Sequence, residues 1–265
     1  MSSISYVNTD VQIQKIWGHS NNRKLLRQYL GDKSVLTSWY VLLEYKATVV
    51  LGFIRFYHHL KHQSFDDALA VVRAEFAVGY KNYILMAIQD LWQLGTEYRD
   101  KRLVLRRLET MIKVQLIRLF EQEIFVVQYV GDEVWRKPAL TAPTTDLLLF
   151  TDSLNAERPE RTVNFIRKNR KAFESLVAFS DEEKMRRHKK KNEFLAIVKL
   201  CAEIVANTPQ ISDRECNQLS DAVIAVDAPF EAEVCAFDSL FDLLCAALGK
   251  KEHTFPDLTP RIPRR

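Results

Sequence analysis

The chain has few of the residues that break regular structure, with seven glycines and eight prolines in 265 residues. Leu, Ala, Glu, Lys and Arg are abundant instead, a balance that favours long helices and excludes a turn-rich all-β fold. Long apolar runs are missing as well. The longest stretch free of Asp, Glu, Lys and Arg is Ser34 to Leu43, ten residues, about half of what crosses a bilayer. No membrane association is expected. The opening MSSISYVNTD has no basic start followed by an apolar segment and a cleavage site, so no secretory signal is expected and a cytoplasmic location is. Cysteine is sparse: Cys201, Cys216, Cys235 and Cys245 lie 15, 19 and 10 residues apart. That spacing contains no C-x-x-C pair and suggests neither a zinc site nor a disulfide framework, so all four read as reduced, mostly core residues. A Gly-rich phosphate loop and a nucleophile elbow are also lacking, which sets aside P-loop and serine-hydrolase chemistry.

What is present is ordinary globular usage, 47% hydrophobic and 27% charged, in a chain long enough to bury a full core. The net charge of +4 is small but unevenly spread. Lys184 to Lys191 reads KMRRHKKK, Arg158 to Lys171 is a second basic stretch, and Arg261, Arg264 and Arg265 end the tail. A polyanion such as RNA can be held by neutralising its phosphates, with Arg186, Arg187, Lys189, Lys190 and Lys191 as candidate contacts; a solvated helix face is the competing reading.

Periodicity gives an outline. Ser3 to Thr9 reads as a strand, Val11 to Leu30 as a helix, Ser34 to Thr37 as a second strand, and Ser38 as the cap of a further helix. A β-α-β-α opening implies a parallel sheet. From about His58 to Val130 the pattern is helical, and most regular between Asp100 and Gln128, where Leu105, Leu108, Ile112, Leu116 and Leu119 recur at steps of three and four. Gly131 to Thr145 reads as a linker, and Asp146 to Ser153 reads equally as a buried strand or a helix start. Helices are expected over Arg161 to Phe179, Glu182 to Ala206, Ser212 to Ala228 and Ser239 to Leu248, with strands at Glu233 to Phe237 and His253 to Phe255.

Carboxylates at the ends of parallel strands are an ordinary way to bind a hard cation. Asp10 follows the first strand, Glu44 lies in the helix after the second, Asp221 lies in a late helix and Asp238 ends the Glu233–Phe237 strand. Asp213, Asp227 and Asp242 read as surface charge. In VLTSWYVLLEY, Ser38 and Glu44 are six apart, and in SDAVIAVDAPFEAEVCAFDSLFDLLCAALG, Asp221 and Asp238 are seventeen apart. Both segments resemble the PIN nuclease family, over roughly residues 1–60 and 210–256. In that family an acid follows strand one, a Ser opens a helix with a Glu six residues on, and two further acids sit in an Ala-rich helix and after the next strand. YVNTDV departs from it by placing Asn8 where the first acid is expected, so that either Asp10 supplies the ligand or the site is inactive. The Ser or Thr common before the last acid is replaced by Ala236 and Phe237.

The resemblance implies an α/β fold, a PIN-like small parallel sheet flanked by helices and interrupted by a large all-helical insertion. It divides the chain into a discontinuous nuclease domain at 1–60 and 207–256, an insertion at 61–206 and a basic tail at 257–265. It further implies a Mg²⁺- or Mn²⁺-dependent endoribonuclease with Asp10, Glu44, Asp221 and Asp238 as catalytic metal ligands, supported by Asn8 and Ser38. RNA processing or a toxin or defence role would follow, with single-stranded or structured RNA as substrate and an inhibitory protein or a second copy as partner. The alternative is a catalytically inactive PIN-like scaffold that binds RNA or protein through its insertion.

Overall fold

A computed structural model describes residues 3–76, 100–135, 158–179, 181–206 and 210–256. Five parallel strands form one sheet in the order β3-β2-β1-β4-β5: β1 Ile4–Val7, β2 Ser34–Ser38, β3 Val127–Val130, β4 Glu233–Ala236 and β5 Glu252–Thr254. Helices make up most of the rest. They are α1 Thr9–Trp17, α2 Ser20–Leu30, α3 Trp39–Tyr45, α4 Leu51–His62, α5 Phe65–Phe76, α6 Lys101–Thr110 and α7 Leu116–Gln122 before β3. After it come α8 Arg158–Lys168, α9 Arg170–Ala178, α10 Glu182–Arg186, α11 Lys191–Ala206, α12 Asp213–Asp227 and α13 Leu240–Leu248. Single π turns at Lys46–Val50 and Met111–Gln115 carry α3 into α4 and α6 into α7.

The central strands β1 and β4 are short and mostly buried because helices cover the sheet. Tyr6, Val7, Val234, Cys235 and Ala236 are fully buried, against Val11, Tyr40, Val41, Val223, Leu240 and Leu244 from the helices. All four cysteines are free and buried, as their spacing implies. Local signals set the helix ends. The Asn8 side chain accepts from Val11 N at 3.1 Å, that of Ser38 accepts from Val41 N at 3.2 Å, and Ser212 with Glu215 forms a capping box. Gly249, at φ 66°, ends α13 in the left-handed region, as its place in the sequence suggests.

Several expectations are corrected. Val11–Leu30 is two helices, because Gly18 is extended and His19 caps the second. The helical reading to Val130 fails beyond Gln122. The β-branched and aromatic run at Val127–Val130 pairs in parallel with β2 instead, so the stretch 61–206 is not wholly helical and contributes a strand to the sheet. Asp146–Ser153, most of the proposed linker and the basic tail with Arg261, Arg264 and Arg265 lie outside the described residues.

Lys15 is a fully buried cation of this scaffold. The Lys15 ammonium donates to the carbonyl of Phe120 at the end of α7 and stands 4.7 Å from the centre of the Phe125 ring, and burial lowers it to about 7.

Gly131, just past β3, has φ 91°, and an added Cβ would lie 2.5 Å from Asp227 Oδ2. Gly249 has open space in that direction. Gly131→Ala should therefore destabilise by about 2–3 kcal/mol, backbone strain plus overlap, and Gly249→Ala by about 1 kcal/mol, backbone strain alone. Urea unfolding of both variants checks this, and equal costs would contradict the close approach of Asp227 to β3.

Candidate functional site

The strand order reverses between β1 and β4. Chain progress runs outward through β2 and β3 on one side of β1 and through β4 and β5 on the other. At such a switch point the segments leaving neighbouring strands diverge and open a crevice at the carboxyl ends, where α/β sheets place their ligands. The segments leaving β1 and β4 carry Asp10 and Asp238.

A pair of hydrogen bonds joins these segments. Asp10 Oδ2 accepts from the backbone amides of Phe237 and Asp238, each at 3.0 Å, while Asp10 Oδ1 is buried and finds no hydrogen-bond partner among the described residues. Burial pushes the Asp10 carboxyl up to about 7; the two amides oppose that rise and the charge of Asp238 adds to it. Asn8 is spent otherwise, since its buried side chain caps α1. Between the two residues of YVNTDV, Asp10 is the one turned toward the β4 segment.

Glu44 and Asp221 arrive from α3 and α12. Thr9 Oγ1, next to Asp10, donates to Glu44 Oε2. Burial raises the Asp221 carboxyl well above the ordinary range, and the charges of Glu44, Asp238, Asp10 and Glu193 raise it further, in that order. The charge of the other three acids singled out from the sequence thus bears on Asp221, joined by that of Glu193 from α11, which no motif marked. The charges meet over a longer range than coordination needs, however. Among the described residues no three Asp, Glu, His or Cys side chains are gathered so that they could hold a metal ion. The donor set suits a hard cation; its present arrangement does not form a ligand cage.

Arg158, on α8, fixes the two helices that carry Glu44 and Asp221. Its guanidinium donates to Tyr40 Oη at 3.2 Å, to Ser220 Oγ at 2.9 Å and to Asn217 Oδ1 at 2.8 Å, and it is only 7% exposed. Tyr40 is one turn before Glu44, and Ser220 adjoins Asp221. In the sequence Arg158 is one more member of a basic stretch, and its burial could not be read there.

Ser38 caps α3 at the end of β2. Asp227 is not the surface charge expected. Burial raises its carboxyl to about 6, and its Oδ1 accepts from Asp132 N at 2.9 Å. Asp242 is likewise engaged, accepting from Thr254 Oγ1 and lying 3.5 Å from His188 Nε2.

The basic run is not one helix. α10 ends at Arg186 and α11 begins at Lys191, so Arg187 to Lys190 form a turn between them. Arg186, Arg187, Lys189 and Lys191 are exposed. Lys190 is not, since its ammonium lies 3.0 Å from Asp238 Oδ2 and 2.7 Å from Glu193 Oε2.

Because the folded Asp10 titrates near 7 and the unfolded one near 3.8, the folded state binds the extra proton between those values. Stability of the metal-free protein should therefore fall as pH rises from about 4 to about 7, by up to about 4 kcal/mol from this group. Urea unfolding in chelator at pH 4.5 and pH 8 measures it. Asp10→Asn should make the fall shallower, leaving the part that the raised carboxyls of Asp221 and Asp227 contribute, and an unchanged profile would mean that burial does not raise Asp10.

No family model matches the chain, and no curated protein or solved structure gives a significant match.

Proposed function

We propose that the chain is a PIN-like endoribonuclease, dependent on a divalent metal, that hydrolyses phosphodiester bonds in RNA. The observation that carries this reading is the charge of Glu44, Asp238 and Asp10 bearing on Asp221 at the switch point of a parallel sheet. Like charges held together in a partly buried place are costly, and folded proteins keep such clusters chiefly where chemistry uses them. Oxygen donors of this kind suit Mg²⁺ or Mn²⁺, with Asp10, Glu44, Asp221 and Asp238 as the residues that would hold it. When bound, such an ion activates water and offsets the charge that develops on the phosphoryl group.

The chain's own residues do the positioning. Asp10 holds the ends of β1 and β4 together through the Phe237 and Asp238 amides. Thr9 orients Glu44, and Arg158 aligns α3 with α12. Arg186, Arg187, Lys189 and Lys191 present positive charge to solvent on and beside the turn that borders Asp238, where they can hold the RNA backbone without reading bases.

A second reading, the inactive RNA- or protein-binding scaffold, is favoured by the lack of three gathered metal ligands among the described residues. Cleavage of a generic single-stranded RNA in Mn²⁺ separates the two. The nuclease reading expects cleavage by the wild type and a loss of about a hundredfold or more in Asp221→Asn and Asp10→Ala, comparable to removing a preorganised transition-state stabiliser. Wild-type protein that binds RNA without cutting it, or cleavage indifferent to both substitutions, would overturn it.

The exposed cations give a separate prediction. Replacing Lys189 and Lys191 together by Ala should weaken RNA binding and lower the slope of log affinity against log salt by about 1.4, two phosphate contacts at ~0.7 each on a single strand. An unchanged slope would make the run a solvated surface.

A further inference from the structure

Among the eight residues of the basic run, Lys190 is set apart by where its charge goes. The ammonium bridges Asp238 Oδ2 at 3.0 Å and Glu193 Oε2 at 2.7 Å, two of the four acids whose charge bears on Asp221. The other oxygen of Asp238 accepts from Leu240 N at 2.9 Å, so its carboxylate is held on one side by the start of α13 and on the other by Lys190. The turn that carries Lys190 is anchored as well. The Lys190 amide donates to His188 Nδ1 at 3.2 Å, and His188 Nε2 lies 3.5 Å from Asp242, one turn along from Asp238. The turn between α10 and α11 is therefore docked on α13 through two neighbouring side chains, with the ammonium placed among the carboxylates.

We propose that Lys190 is a built-in counter-cation of the acid cluster, holding Asp238 in the place of a divalent ion, so that a metal binds only by displacing it. This inference rests on the reading of the acids as a metal site. The donors of that site are hard oxygens, and one oxygen of Asp238 is already taken by the Lys190 ammonium. A cluster of repelling carboxylates needs positive charge to persist, and an ammonium on a flexible four-carbon stem supplies it without a fixed coordination geometry. The divalent ion then competes with a tethered cation, and its apparent affinity is reduced by the fraction of molecules in which Lys190 has left Asp238. Part of the inserted region thereby governs entry to the site formed by the two ends of the chain.

The test is a titration of the intact protein with Mn²⁺, followed by calorimetry and by the resonance signal of free Mn²⁺. If Lys190 holds Asp238 in about nine molecules of ten, Lys190→Met should bind Mn²⁺ about tenfold more tightly than the wild type. Lys190→Gln should behave in the same way. Lys189→Met removes an equal charge from the adjacent exposed residue and should change the affinity less than about twofold, since exposed charges at that range are screened. Adding Asp221→Asn to Lys190→Met should abolish the tighter binding. Equal or weaker affinity in Lys190→Met, with binding still lost in Asp221→Asn, would overturn the counter-cation while leaving the metal site standing. An equal gain from Lys189→Met would overturn it too, by reducing the effect to net charge. Absence of Mn²⁺ binding in both the wild type and Lys190→Met would remove the metal site itself, and the inference with it.

Discussion

The Asp10 carboxylate, accepting the amides of Phe237 and Asp238, is the joint on which the arrangement of acids depends. β1 and β4 are separated in sequence by more than two hundred residues and adjacent in the sheet. Their pairing ends at Val7 and Cys235, and beyond it the two segments would diverge. A single side chain spans that divergence. It satisfies two amides that strand pairing has left unpaired, and it brings a carboxylate beside Asp238 in doing so. The price is electrostatic, for the charge of Asp238 makes the ionised form of Asp10 less favourable, and the charges of Glu44, Asp238 and Asp10 do the same at Asp221.

The rest of the site can be understood as an answer to that repulsion. Thr9 donates to Glu44, and the Asp238 carboxylate takes the Leu240 amide and the Lys190 ammonium. Asp221 is left with a buried carboxyl raised well above the ordinary range, with the charge of the others adding to the rise. Positive charge deeper in the fold is directed elsewhere. Arg158 braces α3 against α12 through Tyr40, Ser220 and Asn217, and Lys15 closes the end of α7. Removing the Arg158 guanidinium would leave the buried hydroxyls of Tyr40 and Ser220 without this donor, a larger loss than the bonds themselves contribute. The middle of the chain is accordingly a structural partner of its two ends. It supplies β3, the Arg158 brace and the Lys190 contact.

Legibility of the sequence followed the range of the interactions involved. Short, β-branched runs at Ile4–Val7, Ser34–Ser38 and Glu233–Ala236 announced strands, and Ser38, Ser212 and Gly249 marked helix ends within a residue or two. These signals depend on neighbours three or four positions away, so they survive without tertiary context. β3 was hidden because Val127–Val130 follows a long helical period and takes its strand identity from the edge of β2. The break of the basic run at Arg187–Lys190 was hidden for a similar reason, as the turn is anchored by contacts of His188 and Lys190 to residues some fifty positions on.

The sequence alone determined that the fold is α/β and mostly helical with a parallel sheet, that its cysteines are buried thiols, and that Asp10 and Asp238 follow strands while Glu44 and Asp221 ride on helices. Only the tertiary structure decided that Asp10 rather than Asn8 faces Asp238, that Glu193 joins the acids, and that one lysine of a basic run turns inward among them. The physical reason is that a side chain's local sequence fixes the element it rides on. The charge it meets is fixed by which distant elements the sheet and its crossovers bring alongside, and a carboxylate reads the same in sequence whether water, an amide or an ammonium lies in front of it.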